Sequence, residues 1–197
     1  IGDRSHAEGG NTTTFGSYSH AEGDYTIASG SHSHAEGFRT QTTGSHSHAE
    51  GLNSRTIGDY SHAEGSGSVA SGIASHAEGR VASSIGNYSH AEGSATAGGD
   101  YSHAEGNGAS STGDYSHAEG NGNAAGVGSH AEGFSYTTVD GPYAHAEGVR
   151  SNARAPYSHV EGDSNNTYGT ASHAEGHDTD TTGNYSHAEG SGSNSIG

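Results

Sequence analysis

A single pentapeptide, Ser-His-Ala-Glu-Gly, recurs fourteen times along this chain. Two copies carry one exchange each: Ala144 stands for the serine of one, and Val160 for the alanine of another. The motif histidines are fourteen residues apart, except for two gaps of thirteen and one of fifteen. A fixed short period over a whole sequence is the mark of stacked repeats, each of which can bury its surface only against its neighbours. All fourteen glutamates of the chain belong to the motif, one per repeat.

Composition narrows how such an array can be held together. Of 197 residues, 35 are glycine and only 27% are hydrophobic, and Cys, Met and Trp are absent. Chains so poor in large apolar residues are ordinarily disordered, but a strict period lets every repeat do the same structural job. A lone chain of this kind cannot bury a useful apolar core. Stability must come from backbone ladders, close packing of small residues and oligomerisation. The formal charge of −17 argues against a nucleic-acid partner. No signal peptide or apolar run long enough to span a membrane is present, so no membrane contact is expected of this segment. The lack of cysteine is compatible with an extracellular fibre without requiring one. Ile1-Gly2 and Ile196-Gly197 stand at the same phase of the repeat. Residues 1–197 therefore read as one array of fourteen coils, a segment of a longer fibre.

Counting from the motif histidine as position zero, Ser at −1, Ala at +1 and Gly at +3 are small. A further glycine falls at +10, as in Gly16, Gly30, Gly44, Gly58, Gly72 and Gly86. Between them lies a second segment with small residues at +6 and +8 (Ser68 and Ala70, for example) and unrestricted ones at +7 and +9. Both segments alternate with period two, so both read as short strands with one face of small residues. Ser61, Ala63, Gly65, Ala70 and Gly72 exemplify the expected interior. Glycines at the segment ends are expected to supply unusual backbone angles for turns. The fold expected is an all-β parallel β-roll, or solenoid, of about fourteen coils with two short strands each. One-residue changes in coil length should fall at turns, where they leave strand faces unflipped. The most irregular stretch is 134–157, with an extra residue near Val139-Asp140-Gly141-Pro142 and Ala155-Pro156 in place of the usual glycine.

On the motif strand, positions −2, 0 and +2 share a face under this reading. Parallel stacking at about 4.8 Å then builds a column of imidazoles and a column of carboxylates. The pairs are His6/Glu8, His20/Glu22, His34/Glu36, His48/Glu50, His62/Glu64, His76/Glu78 and His90/Glu92. They continue as His103/Glu105, His117/Glu119, His130/Glu132, His145/Glu147, His159/Glu161, His173/Glu175 and His187/Glu189. A column of bare carboxylates repels itself. Protonating every motif histidine would move the net charge from −17 to −17 + 14 = −3. His and Glu two apart on one strand are too distant for ideal direct bonding, so each is expected to pair with a neighbouring chain of a symmetric homotrimer. Tyr18, Tyr60, Tyr88, Tyr101 and Tyr115, at −2, would flank that face. Such pairing raises a histidine pKa and lowers a glutamate pKa, which places greatest stability between the two.

A fourteen-residue repeat with Ser-x-Ala-x-Gly on one strand and Ala/Thr-x-Gly on the other resembles the head repeats of YadA-type trimeric autotransporter adhesins. The Ser-His-Ala-Glu-Gly form is similar to repeats of phage tail-fibre or neck-appendage proteins and of Gram-positive surface proteins. The resemblance covers essentially the whole chain. It implies a left-handed β-roll trimer, extracellular, on a bacterial cell surface or a phage virion. Ser61, Ala63 and Gly65 match the small residues of the adhesin motif. His62 and Glu64 fall where those heads usually carry apolar residues, which implies a polar subunit interface.

The function expected is a non-enzymatic structural or adhesive shaft. It would assemble with itself, end to end as well as around an axis, and touch a host or environmental surface or receptor. Outward Phe15, Tyr25, Phe38, Arg39, Leu52, Arg55 and Phe134 are the contact candidates. One alternative is a metal-binding fibre, with His32, His34, His46 and His48 as the best ligands; no cofactor is otherwise implied. A second is an ice- or mineral-binding solenoid presenting Thr12, Thr14, Thr26, Thr40, Thr42 and Thr56 outward. Catalysis is not expected, because fourteen equivalent rungs offer no pocket and no distinct nucleophile.

Overall fold

The computed structural model describes residues 2–196. The chain forms two compact units, Ile1–Asp100 and Tyr101–Gly197. Each is a parallel β-solenoid carrying seven motif copies, and every regular element among the described residues is a strand. In the first unit the motif strands are His6–Gly10, His20–Asp24, His34–Phe38, His48–Ala49, His62–Ser66 and His76–Arg80, with His90–Ala97 last. The intervening second strands are pairs such as Ile27–Ala28, Gln41–Thr42 and Arg55–Thr56. In the second unit the motif strands begin at His103, His117, His130, His145, His159, His173 and His187. Register is like on like: His20 pairs with His34, Ala21 with Ala35, Glu22 with Glu36 and Gly23 with Gly37.

The core is as thin as the sequence demands. Ala21, Ala35, Ala63, Ala77 and Ala118 are fully buried, as are the +8 residues Ala28, Thr42, Thr56 and Ala70. Serines at −1 and threonines at +8 are satisfied by a repeating relay. The −1 serine hydroxyl donates to the +10 carbonyl three residues back, as Ser33 to Gly30 at 2.7 Å. Where +8 is threonine, its hydroxyl donates in turn to that serine, as Thr42 to Ser33 and Thr56 to Ser47. Serine thus bridges two elements of each coil at a volume close to alanine, and both hydroxyls of such a pair are satisfied. Both motif exchanges meet in one place: Ala144 and Val160 belong to a single apolar cluster with Ala146, Ala153 and Ala174.

The turns bear out the sequence expectation at the +3 glycines, all of which have positive φ, and depart from it at −2 and +5. The left-handed conformation is carried mostly by residues with side chains, at −2 and +5: Tyr18 (φ 56°), Tyr25 (59°), Arg39 (57°), Tyr60 (60°) and Val81 (64°). Strand amides donate forward to the next coil, as His20 N–H to the Ser33 carbonyl. The turn residues reverse this: Tyr18 N–H donates back to Asp3, and Arg39 N–H back to Asp24. Positive φ redirects the amide, and that hydrogen bond offsets a conformational cost of about 1–2 kcal/mol. The +10 glycines serve another purpose. A Cβ on Gly58 would lie 2.0 Å from the Gly72 carbonyl oxygen, so glycine is required there by contact between coils. Gly65 needs glycine on both counts, with φ of 97° and the Gly79 oxygen 2.1 Å from its missing Cβ. It is exposed, not interior as expected, whereas Ser61, Ala63, Ala70 and Gly72 are buried.

Position +11 has an amide with no ladder partner in many coils. An Asp or Asn from the next coil takes it up: Ser45 N–H donates to Asp59 at 2.7 Å, and Ile73 N–H to Asn87 at 3.0 Å. Proline, which has no amide to satisfy, occupies this position as Pro142 and Pro156. Coil-length changes do fall at turns. In the coil beginning at His90, Thr96 pairs with Ser83 and Ala97 with Ser84, so the missing residue is the +5 turn residue. The coil beginning at His130 is a compound case. Tyr136 pairs with Asn152 while Phe134 pairs with Val149, so it too lacks the +5 residue and gains two, Val139 and Asp140, before Gly141. The single extra residue expected there is thus a net count of two changes at opposite turns.

Candidate functional site

The motif histidines build an uninterrupted stack within each unit. In the first, ring centroids are 4.8 Å apart from His20 to His34, His34 to His48, His62 to His76 and His76 to His90. His6 to His20 and His48 to His62 are 5.1 and 5.0 Å. In the second, the spacing is 4.7–4.9 Å from His103 through His187. Two constraints produce this: like-on-like register fixes the strand spacing, and the buried serine and alanine on either side fix which face the ring leaves from. His20, His34, His62 and His76 each keep 35% of the side chain open.

The carboxylates stand beside them. His34 Nε2 lies 3.5 Å from Glu36 Oε2, His76 Nε2 3.4 Å from Glu78, and His159 Nε2 3.6 Å from Glu161. His62 approaches Glu64 at 3.9 Å and Glu50 of the preceding coil at 3.7 Å. Same-strand pairs lean together within one chain, in line with the expectation that they fall short of ideal direct bonding. These distances exceed a hydrogen bond. Nε2 of His20, His34, His48, His62, His76, His117, His130, His145, His159 and His173 is buried without a hydrogen-bond partner.

Other carboxylates of the column stand open in the single chain. Glu147, Glu175 and Glu189 are exposed, as is Glu8 in the first coil. Glu189 approaches His187 at 3.7 Å, but its side chain stays 76% open. Glu92 is half-buried, and its partner in register is another carboxylate, Glu78. The same holds for Glu147 over Glu132, Glu175 over Glu161 and Glu189 over Glu175. The reason is physical. A carboxylate on a flexible stem, with like charges along the column, gains from hydration as well as from leaning on the ring.

The raised histidine pKa values expected belong to rings paired with a second chain; in the single chain five rings shift the other way. His48, His76, His130, His145 and His173 are all held below the ordinary imidazole value. Burial is the largest cause, followed by the stacked histidines above and below; the neighbouring glutamates act the other way and are outweighed. A ring between two imidazoles takes up its proton against any charge already carried by those neighbours.

The −2 residues form a separate column in the left-handed turn and not on the motif-strand face. Tyr18, His32, His46 and Tyr60 stack at 4.9–5.0 Å, and Tyr101 stacks on Tyr115 at 5.1 Å. Tyr18, Tyr60, Tyr88, Tyr101 and Tyr115 are 48–64% exposed. His32 and His46 thus take a tyrosine's place as flat rings, in a different column from His34 and His48. The groups whose ligand atoms gather are instead His–Glu–His sets along the motif column, such as His20/Glu22/His34, His34/Glu36/His48 and His117/Glu119/His130. In the second unit Glu105, Glu119 and Glu132 line an open groove of about 340 Å³.

The remaining expected sites are placed as follows. Phe15, Tyr25, Phe38, Leu52 and Phe134 are exposed, as are Arg39 and Arg55. Thr14, Thr26, Thr40, Thr42 and Thr56 are buried, at 0–2% exposure, and Thr12 is partly buried. No outward threonine lattice exists on those rows, because the ladder directs +6 and +8 inward. Among the described residues no helix is long and apolar enough to cross a membrane. The chain matches no known family model, and no curated protein matches it.

Proposed function

We propose that this chain is a segment of a non-enzymatic extracellular fibre shaft that assembles as a homotrimer through its His–Glu face and touches a surface or receptor through its outward columns. The observation that carries this reading is the continuous column of half-open imidazole rings beside an equally continuous carboxylate column. Carboxylates stacked at strand spacing repel one another, and a neighbouring subunit is the economical source of donors along a whole column. The same subunit would cover the carboxylates that stand open in the single chain, Glu147, Glu175 and Glu189 among them. A core built of alanine, serine and threonine adds a further reason for association, since it offers little apolar burial per coil. One rung geometry repeated throughout suits a continuous subunit interface and gives no rung a distinct chemistry. The repeat's likeness to adhesin heads and phage or Gram-positive fibre proteins fits a cell-surface or virion location.

The test is the mass of the particle in solution, with and without a chelator. Three chains, indifferent to the chelator, are expected; a single chain would remove the interface. The His–Glu separations favour one further reading. At 3.4–3.6 Å in several rungs they are close to the separation of about 3.3 Å between two ligands on one tetrahedral ion. A shaft that loses its assembly or its melting temperature on chelation, and regains it with zinc, would establish metal bridging in place of direct pairing.

A further inference from the structure

Carboxylates are spread unevenly over the first unit. The second segments of its first six coils, 11–16, 25–30, 39–44, 53–58, 67–72 and 81–86, contain no Asp or Glu at all. On a chain with 23 acidic residues and six basic ones, this strip also holds two arginines, Arg39 and Arg55. Neither has a carboxylate within ion-pair distance among the described residues, whereas Arg150 in the second unit takes Asp163 at 2.9 Å. Arg39 is held by aromatic rings instead: its guanidinium carbon is 5.0 Å from the Phe38 ring centre and 5.8 Å from that of Tyr25. Two cation–π contacts fix the fork without neutralising it.

Arg39 and Arg55 line one open cleft of about 400 Å³ with Tyr25, Ile27, Gln41 and Asn53. Register explains the grouping. Ile27, Gln41 and Arg55 are consecutive partners in the second-strand ladder, and Tyr25, Arg39 and Asn53 are the left-handed turn residues of the same three coils. The cleft therefore combines two unpaired guanidinium forks, two side-chain amides that both donate and accept, and a partly exposed tyrosine beside an isoleucine. Guanidinium matches carboxylate in a bidentate way, and amides match vicinal hydroxyls. The ring and the isoleucine offer an apolar floor for the C–H face of a sugar. The surrounding charge of −17 repels long polyanions and leaves short acidic ligands as the candidates.

We propose that this cleft binds a short acidic saccharide, its carboxylate held by Arg39 and Arg55 and its hydroxyls by Gln41 and Asn53. The proposal names a ligand class for the outward contacts of the shaft and rests on that part of the functional reading, independently of the subunit face. The experiment is a calorimetric titration of the full chain with trigalacturonate, beside the uncharged trisaccharide maltotriose and the peptide triglutamate. Saturable trigalacturonate binding is expected, at least about tenfold tighter than either comparison ligand. Arg55→Ala and Arg39→Ala should each weaken it by about tenfold or more, and Arg55→Lys, which keeps charge but loses the fork, by several-fold. Arg80→Ala, outside the cleft with the same change of charge, should leave it unchanged. Equal binding of maltotriose, equal binding of triglutamate, or an affinity indifferent to Arg55→Ala would each overturn the proposal. Particle mass measured on the same sample separates the two readings: a single chain that binds loses only the interface, and a trimer that does not bind loses only the cleft.

Discussion

At the scale of single residues, backbone conformation and interatomic contact make different demands that the sequence writes in the same letter. Val81 carries a β-branched side chain at φ 64°, where glycine stands in the equivalent turn positions of Gly67 and Gly108. Val81→Gly should therefore raise the melting temperature, by an amount equivalent to about 1 kcal/mol, as read by thermal denaturation. The +10 glycines make the opposite prediction. Gly58→Ala drives a Cβ to within 2.0 Å of the Gly72 oxygen, so the coils must separate there. A loss of about 3 kcal/mol or more is expected in chemical denaturation. At Gly141 the nearest atom to an added Cβ is 3.1 Å away, so Gly141→Ala should cost distinctly less in the same assay. Ala155, which occupies the +10 position of the next coil, shows that the fold admits a methyl group in this region.

At the scale of the coil, the hydroxyl relay decides which small residue the interior accepts. Thr42 donates to Ser33, which donates to the Gly30 carbonyl. Thr42→Val keeps the shape and removes the first link, and should lower stability by about 1 kcal/mol in a urea melt. Ser33→Ala removes the acceptor of Thr42 and the donor to Gly30 together, so it should cost more than Thr42→Val. The effect should be largely absent for Ser19→Ala in the coil where Ala28 stands at +8, beyond its own single bond to Gly16. The same economy explains the tolerated length changes. Removing the +5 residue deletes a turn amide with its backward bond and leaves the faces of both strands intact.

At the scale of the whole chain, the stacked imidazoles set the response to pH. His48, His76, His130, His145 and His173 have pKa values below 6.5 when folded. Between the folded values and 6.5 the unfolded chain binds more protons than the folded one, so stability rises with pH across that window. Their contribution is fully present above pH 6.5 and is lost as pH falls through the window. Thermal melts should give a lower midpoint at about pH 5 than at about pH 7.5; a higher midpoint at the acid end would mean that carboxylates, not burial, control the rings.

The repeat alone determined the stacked coil, the two strands, the small-residue interior and the existence of parallel His and Glu columns. It could do so because a period of two within a period of fourteen leaves each residue one face to occupy, and stacking copies that choice into every coil. What it did not determine is how the turns are made, since a glycine reads the same whether it is needed for its φ or for lack of a Cβ. Only the tertiary arrangement placed positive φ on tyrosines and arginines, moved Gly65 to the surface and put His32 and His46 in a column apart from His34 and His48. It also left Glu147, Glu175 and Glu189 open in the single chain and lowered the pKa of five stacked histidines. Sequence spacing shows that His and Glu are near one another, but burial and ring-on-ring stacking exist only once the coils are packed, and there they outweigh the nearby carboxylates.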